Sequence, residues 1–432
     1  MLHGTGSPAA TLAPDQVAGI LEQAFAALPL DGQRVLVIIP DATRSAPIPL
    51  MFDLLYARLG AQVARLDYLI ALGTHAPMSE AAIDQLVGCA ADQRARRFPK
   101  SAVLNHAWHD PDALTQIGTI GGDEMATLTG GLWTTATPVR INRMAHEYDQ
   151  IIICGPVFPH EVVGFSGGAK YLFPGIAARE IIDTTHWIGA LVTVLNSIGI
   201  KDTPMRRVIH RAAEFVTTPI TLLAMVMRGD ALHGLYTGDL VEAWSAAADL
   251  SAQLNIVVKP HLFQRVLSLP STRYPDLWTA AKAMYKTEPV VADGGEIIIY
   301  APHISEVSYS HGALLDEVGY HVLAYFTKQP GRFAAYPGGV LAHSTHVKGV
   351  GSYDPASGVE RPRIQVTLAT AIPEARCRQI NLGYRDPHTI DPQDWANRED
   401  EGLLLVEHAG EVLYRCATML YLPDTTERLR GV

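Results

Sequence analysis

Cysteine is scarce in this chain of 432 residues: there are four thiols, Cys89, Cys154, Cys377 and Cys416, with no C-x-x-C pair among them. That spacing excludes a cysteine-built zinc ribbon or a local iron–sulfur motif. So few thiols over such a length make no disulfide scaffold either. A reducing, cytoplasmic setting is the plain expectation. Charge is also sparse, at 18% of residues against about a quarter in ordinary domains. What charge there is leans acidic, with 34 Lys and Arg against 44 Asp and Glu and a formal net charge of −10. No basic stripe is offered to a nucleic acid. No apolar run approaches the roughly 20 residues that span a bilayer. The opening MLHGTGSPAATLAPDQ lacks the basic region and apolar core of a signal peptide, so none is expected. What is abundant is hydrophobic residues, 48% of the chain. At about 100–200 residues per domain, the length suggests two or three cores that need no disulfide or metal staple.

Short apolar runs alternate with stretches of helical period. Val35 to Pro40 (VLVIIP), Tyr68 to Leu72 and Ile151 to Val157 lack polar alternation and end at turn signals, as buried strands do. Pro14 to Ala27, Met78 to Val87 and Ile176 to Leu191 read as helices. A second series follows: strand Thr221 to Met227, helix Leu240 to Leu254, strand Val266 to Leu269, helix Leu277 to Val291 and strand Ile297 to Ala301. This alternation predicts α/β architecture: two α/β domains with mostly parallel sheets and an active-site cleft between them. The KPHLFQR segment after Val258 breaks the helical pattern. It places an N-terminal domain at 1–258 and a C-terminal domain at 259–411. The apolar tail from Leu403 to Leu422 either closes the second sheet or returns to the first domain, which would then include about 412–432.

Chemistry-bearing residues gather at strand ends, where open α/β sheets bind ligands. Asp41-Ala42-Thr43-Arg44 follows the first strand, and an Arg fork suits carboxylate or phosphate. The plainer reading is an N-cap Asp and a surface Arg. Gly73-Thr74-His75 follows the second strand and offers a group that titrates near neutrality. A lone histidine is more often structural. The richest stretch is Gly155-Pro156-Val157-Phe158-Pro159-His160-Glu161-Val162-Val163-Gly164-Phe165-Ser166-Gly167-Gly168-Ala169-Lys170. Ser166, Gly167 and Gly168 let the backbone approach an anion closely while Lys170 adds charge, although the spacing is not that of a Walker A loop. His186 lies sixteen residues beyond Lys170. Asn105-His106-Ala107-Trp108-His109-Asp110 places two histidines at i, i+3 beside an Asp, a weak zinc pattern. Trp278-Thr279-Ala280-Ala281-Lys282 falls on an expected helix, where Lys282 and Lys286 read as its polar face. His303, His311, His343 and His346 commit to nothing by themselves.

Together these segments resemble the nickel-dependent lactate racemase family, over most of the chain. The resemblance is carried by Asp-x-x-Arg and Gly-Thr-His at strand ends, by PHEVVGFSGGAKYLFPG, and by Lys282 ahead of Gly294-Gly295. The PHEVVGFSGGAK segment is the most specific. It implies a nickel-pincer nucleotide, pyridinium-3-thioamide-5-thiocarboxylic acid mononucleotide, joined to Lys170 as a thioamide, with Ni ligated by His186. Imidazole suits Ni(II), and the remaining ligands would belong to the cofactor. Asp41, Arg44, Lys282 and Trp278, with the glycine turn, are then expected around cofactor phosphate or substrate carboxylate. The implied reaction inverts C2 of a 2-hydroxy acid. Hydride passes to and from the cofactor while His75 and His160 each move the hydroxyl proton of one enantiomer. The implied partners are a small 2-hydroxy acid and the enzymes that make the cofactor, with no nucleic acid and no membrane.

The chain departs from the family's lactate-specific members at one pair, carrying Trp278-Thr279 in place of Tyr-Gln. Malate, aryl-lactates, longer aliphatic hydroxy acids and sugar acids are the substrates that family members outside lactate imply. Two other readings stand beside this one: a zinc hydrolase on His106, His109 and Asp110, and a non-catalytic member binding an anion at Ser166 to Lys170.

Overall fold

The structure is a computed structural model that describes residues 2–418. The chain groups into two compact units. The first comprises the chain up to Phe158, Phe165–Ile182 and Arg206–Leu254, and the second comprises Pro159–Gly164, Asp183–Met205 and the chain from Asn255 onward.

The first unit is built on seven strands: β1 (His3–Gly6), β2 (Arg34–Ile39), β3 (Arg65–Ile70), β4 (Val103–Asn105), β5 (Gln150–Pro156), β6 (Ile220–Arg228) and β7 (Ala231–Gly238). They lie in the order β1-β7-β6-β5-β2-β3-β4. The five from β6 to β4 are parallel, with β7 and β1 antiparallel at one edge. Continuous runs such as Val35–Ile39 are buried on both faces, as parallel strands covered by helices must be. Helix Pro14–Phe25 contributes Val17, Ile20, Leu21 and Phe25, and helix Ile48–Leu59 contributes Ile48, Met51, Phe52, Leu55 and Leu59. These pack with Val35, Val37 and Ile39 in one core, at the three- and four-residue spacing of a helix stripe. The chain steps outward from β2 to β3 and β4, then returns to the other side of β2 as β5. That reversal makes the carboxyl ends of β2 and β5 the place where loops diverge and ligands bind in such sheets.

The second unit carries a five-stranded sheet of β8 (Phe263–Pro270), β9 (Val291–Ala301), β10 (Gln365–Thr370), β11 (Gly383–Tyr384) and β12 (Leu403–Ala409). The order is β11-β10-β9-β8-β12, with every pairing parallel. Val194 and Ile198 pack into the same core as Phe263, Val266 and Ile297, and Gly199 donates to Gly164 O at 2.8 Å. The two units therefore interleave along the chain instead of dividing once after residue 258. The tail joins the second unit as far as Cys416: β12 lies beside β8, and Leu413–Cys416 pairs in parallel with Ile256–Lys259. The part of the tail from 419 to 432 lies outside the described residues.

One expected element differs. The helix read over Leu277 to Val291 is instead two single-turn helices, Leu277–Ala280 and Lys282–Tyr285, followed by a 3-10 turn at Glu288–Val290. Pro289 supplies no N–H for a continuing helix and disfavours the α region at Glu288, while Val291 is already paired with Phe263. Among the described residues no helix is long and apolar enough to cross a membrane.

Candidate active site

Asp41 leaves the end of β2 and His75 follows β3, so adjacent parallel strands bring together residues 34 positions apart. The His75 Nδ1 and Asp41 Oδ2 are 2.5 Å apart. The other carboxylate oxygen, Oδ1, accepts from Thr43 N at 3.1 Å and Thr43 Oγ1 at 2.6 Å. Burial by itself would raise the Asp41 pKa. The charge and hydrogen bond of His75, the Thr43 hydroxyl and the Arg44 charge outweigh it and hold the carboxyl well below its ordinary value. An ionised Asp41 accepts the Nδ1–H of His75, so that in the neutral form of the ring the lone pair is on Nε2. That is the tautomer of a general base. Arg44 is half-buried, and its charge reaches both Asp41 and the buried Tyr171 phenol, whose pKa burial drives up.

The glycine turn follows β5. Gly167 and Gly168 take φ of 77° and 59°, values that only glycine adopts without strain. Ser166 ties the turn to its own strand end: its amide donates to Phe158 O at 2.7 Å, and its hydroxyl accepts from Phe158 N at 2.9 Å. The hydroxyl also reaches Pro156 O at 3.4 Å. The Ser166 side chain is thus engaged within the turn. Lys170 sits in the 3-10 turn Gly168–Tyr171, half-buried. Its amide donates to Gly167 O at 3.3 Å, and its carbonyl accepts from Gly175 N at 3.0 Å.

His160, His186, Trp278 and Lys282 belong to the second unit. His160 is buried, and its Nδ1 accepts from Val162 N at 3.1 Å. A neutral ring in that arrangement carries its proton on Nε2, the opposite tautomer from His75. For Nε2 to act as a base the proton must move to Nδ1, and the Glu161 carboxylate is the adjacent acceptor, with Oε2 at 3.6 Å. His186 is half-buried on helix Arg179–Val192. Lys282 is buried, donates from Nζ to Thr279 O at 3.0 Å and lies 5.0 Å from the Tyr274 ring centre. Trp278 stacks on His343 with centroids 4.0 Å apart and meets His311 at 4.6 Å.

The zinc arrangement is not formed. The His106 Nε2 lies 3.0 Å from Ala177 O, and its Nδ1 lies 3.2 Å from the amide nitrogen of Asn142. The Asn142 Oδ1 accepts from Met144 N, so that amide nitrogen is the donor. Both ring nitrogens are satisfied in the neutral form, and burial pushes the pKa down to about 4. His109 is turned toward the Trp108 ring. Among the described residues no group of three His, Cys, Asp or Glu could hold a metal ion.

Residues 18–199 match the model of the lactate racemase N-terminal domain. Two curated relatives, the lactate racemases of Lactiplantibacillus plantarum and Thermoanaerobacterium thermosaccharolyticum, are each 25% identical to this chain, over 278 and 291 residues. Residues 18–199 are thus similar to the lactate racemase family's N-terminal domain. Those matches cover 62% and 65% of this chain but 59% and 61% of the relatives, less than two thirds of either. A crystal structure of a Thermotoga maritima protein aligns with a TM-score of 0.87 at 31% identity, over 95% of this chain and all of that one. The lactate racemase apoprotein of Thermoanaerobacterium thermosaccharolyticum shares the fold, with a TM-score of 0.68 at 17% identity, over 96% of this chain and 94% of that one.

Within this lactate racemase relative, the structure adds residues that sequence reasoning did not single out. His343 lies between two phenols, Tyr285 Oη at 2.9 Å from Nδ1 and Tyr320 Oη at 3.2 Å from Nε2. Burial, then the neighbouring His346, His311, Lys282 and His186, keep it neutral well below its ordinary pKa. Arg206 and Trp244 lie against the glycine turn. No sequence signal marks either one, because an Arg on an amphipathic helix reads as solvated.

Proposed function

We propose that this chain is a racemase or epimerase that inverts C2 of a 2-hydroxy acid in the cytoplasm, using a nickel-pincer nucleotide carried on Lys170. The observation that carries the reading is the Asp41–His75 pair at the carboxyl ends of β2 and β3, an ionised carboxylate fixing an imidazole in its base tautomer. A non-catalytic anion-binding protein has no use for that pair. The donor set suits the cofactor: a half-buried amine on a glycine turn for attachment, and a half-buried imidazole, His186, for a metal whose other ligands come with the group. When bound, the cofactor supplies an electron-poor carbon that accepts and returns hydride, which spares the protein from forming a carbanion.

The chain's own residues would bind and move protons. Arg44 receives the substrate carboxylate in its fork. The His75 Nε2 takes the hydroxyl proton of one enantiomer while Asp41 stabilises the resulting imidazolium. His160 serves the other enantiomer once its proton has moved to Nδ1. Lys282, held by Thr279 O, adds positive charge for phosphate or carboxylate. At the pair that departs from the lactate-specific pattern, the Thr279 hydroxyl donates to Asp276 Oδ1 at 2.7 Å. It therefore offers substrate no substitute for a glutamine amide. A 2-hydroxy acid other than lactate fits that better.

The test is the intact mass of protein coexpressed with the cofactor-making enzymes. An adduct of pincer-nucleotide size on Lys170, absent from Lys170→Ala, is expected. Unmodified wild-type protein under those conditions sinks the reading. Optical rotation assays across chiral 2-hydroxy acids then identify the substrate.

A further inference from the structure

The carbonyls of the glycine turn are gripped by side chains from two helices. Arg206, on helix Pro204–Ala213, is 2% exposed. Its Nη1 donates to Gly167 O at 3.2 Å and its Nη2 donates to Phe165 O. Between those acceptors, Ser166 O receives the indole Nε1–H of Trp244 at 2.9 Å. Three consecutive carbonyls are thus held by two side chains from two helices. The two side chains also brace each other, with the guanidinium carbon 4.2 Å from the Trp244 ring centre. A methyl group on Gly168 would meet that ring at 3.0 Å, so the turn is closed against the indole.

Burying a guanidinium is costly, and an apolar residue of similar volume often serves stability as well or better. Burial lowers this group's pKa to about 9. What the charge gains here is a hold on Gly167 O, the same carbonyl that accepts the Lys170 amide at 3.3 Å. One oxygen therefore links Arg206 to the backbone of Lys170, and Gly175 N secures the Lys170 carbonyl.

We propose that Arg206 and Trp244 are positioning residues that hold the Phe165–Gly167 carbonyls so that Lys170 is presented in one backbone geometry for covalent attachment. This rests on the reading of Lys170 as the cofactor-bearing residue. Attachment at a fixed amine avoids the ordering cost that a mobile turn would impose on each encounter.

The test uses full-length Arg206→Met, Arg206→Lys and Trp244→Phe. Leu55→Ala, in the core around Val35 and Val37, serves as a control for general destabilisation. Amide exchange across 165–172 is measured on cofactor-free protein, and adduct accumulation on Lys170 is followed during coexpression. Losing charge-assisted bonds at two carbonyls predicts exchange and loading each altered on the order of tenfold or more in Arg206→Met. Arg206→Lys should recover part of this, and Trp244→Phe, which keeps the ring, should show a smaller change. Leu55→Ala should lower the melting temperature without changing either readout. If Arg206→Met fails to fold, Arg206→Lys and Trp244→Phe carry the comparison. Wild-type exchange in the Arg206 and Trp244 variants overturns the proposal whatever Lys170 carries. Raised exchange with no adduct on wild-type Lys170 overturns the cofactor reading instead and leaves the grip on the turn standing.

Discussion

His75 and His106 follow neighbouring parallel strands of one sheet, yet the fold gives them opposite duties. His75 is partly open, with an ionised carboxylate at one nitrogen, and in the proposed function the other nitrogen meets the substrate. His106 is 1% exposed, accepting from an amide at one nitrogen and donating to a carbonyl at the other. A carboxylate partner makes an imidazole a proton carrier, because it stabilises the charged form. Two neutral partners make it a fixed structural donor and acceptor, because a second ring proton would point at the Asn142 amide hydrogens. The partner, more than the histidine, decides the role.

The largest effect expected from breaking this comparison is on His75. Under the proposed function, replacing it with Gln lowers racemisation by about a thousandfold, within the usual range for a general base, while the denaturation midpoint stays near wild type. His106→Gln should show the reverse: weakened folding, with catalytic constants of the surviving protein within a few fold. Equal activity losses in both variants would erase the distinction. Next in size is Asp41→Asn, which leaves the ring in place but removes the charge that orders it. A loss of about 10–100-fold is expected, as for partners that orient a working histidine, with substrate KM nearly unchanged. A wild-type rate in Asp41→Asn would show that the short bond does not set the tautomer.

The last effect is in acid and is read in stability instead of rate. The folded His106 pKa of about 4 lies below the ordinary 6.5, so the unfolded chain binds a proton that the folded chain excludes. Its stabilisation is complete above about pH 6.5 and is lost as pH falls toward about 4, amounting to at most about 3 kcal/mol. Asp41 also has a depressed value, so its contribution is intact above about pH 4 and fades only below it. Denaturant titrations in this window should therefore show a shallower pH dependence for His106→Gln than for wild type. Asp41→Asn should keep the wild-type slope. A wild-type slope in His106→Gln would mean that burial does not hold the imidazole neutral.

Much of this was legible in the residues. VLVIIP, IIICGPV and their counterparts are unbroken apolar runs, and such runs bury on both faces only in covered parallel sheets, so the α/β class followed directly. Ser166-Gly167-Gly168 announced a turn that other residues cannot make. The helix expected over Leu277 to Val291 was less legible. Its apolar spacing suits a helix, but Pro289 and the pairing of Val291 with Phe263 end it early. His106 and His109 have ligand spacing along the chain, and only three-dimensional packing shows that Asn142 and Ala177 already occupy the first ring. Arg206 and Trp244 gave no sign, because their partners are backbone carbonyls some forty and eighty positions away.

The sequence by itself determined the strand runs, the glycine turn and the supply of chemistry-bearing residues at strand ends, because these depend on side-chain periodicity and on local φ preferences. Tertiary structure decided which histidine met a carboxylate and which met neutral groups. It also decided that a buried arginine grips the turn, and that the tail up to Cys416 pairs beside Ile256–Lys259. Tautomer, burial and charge are properties of neighbours, and neighbours distant in sequence are chosen only when the chain packs.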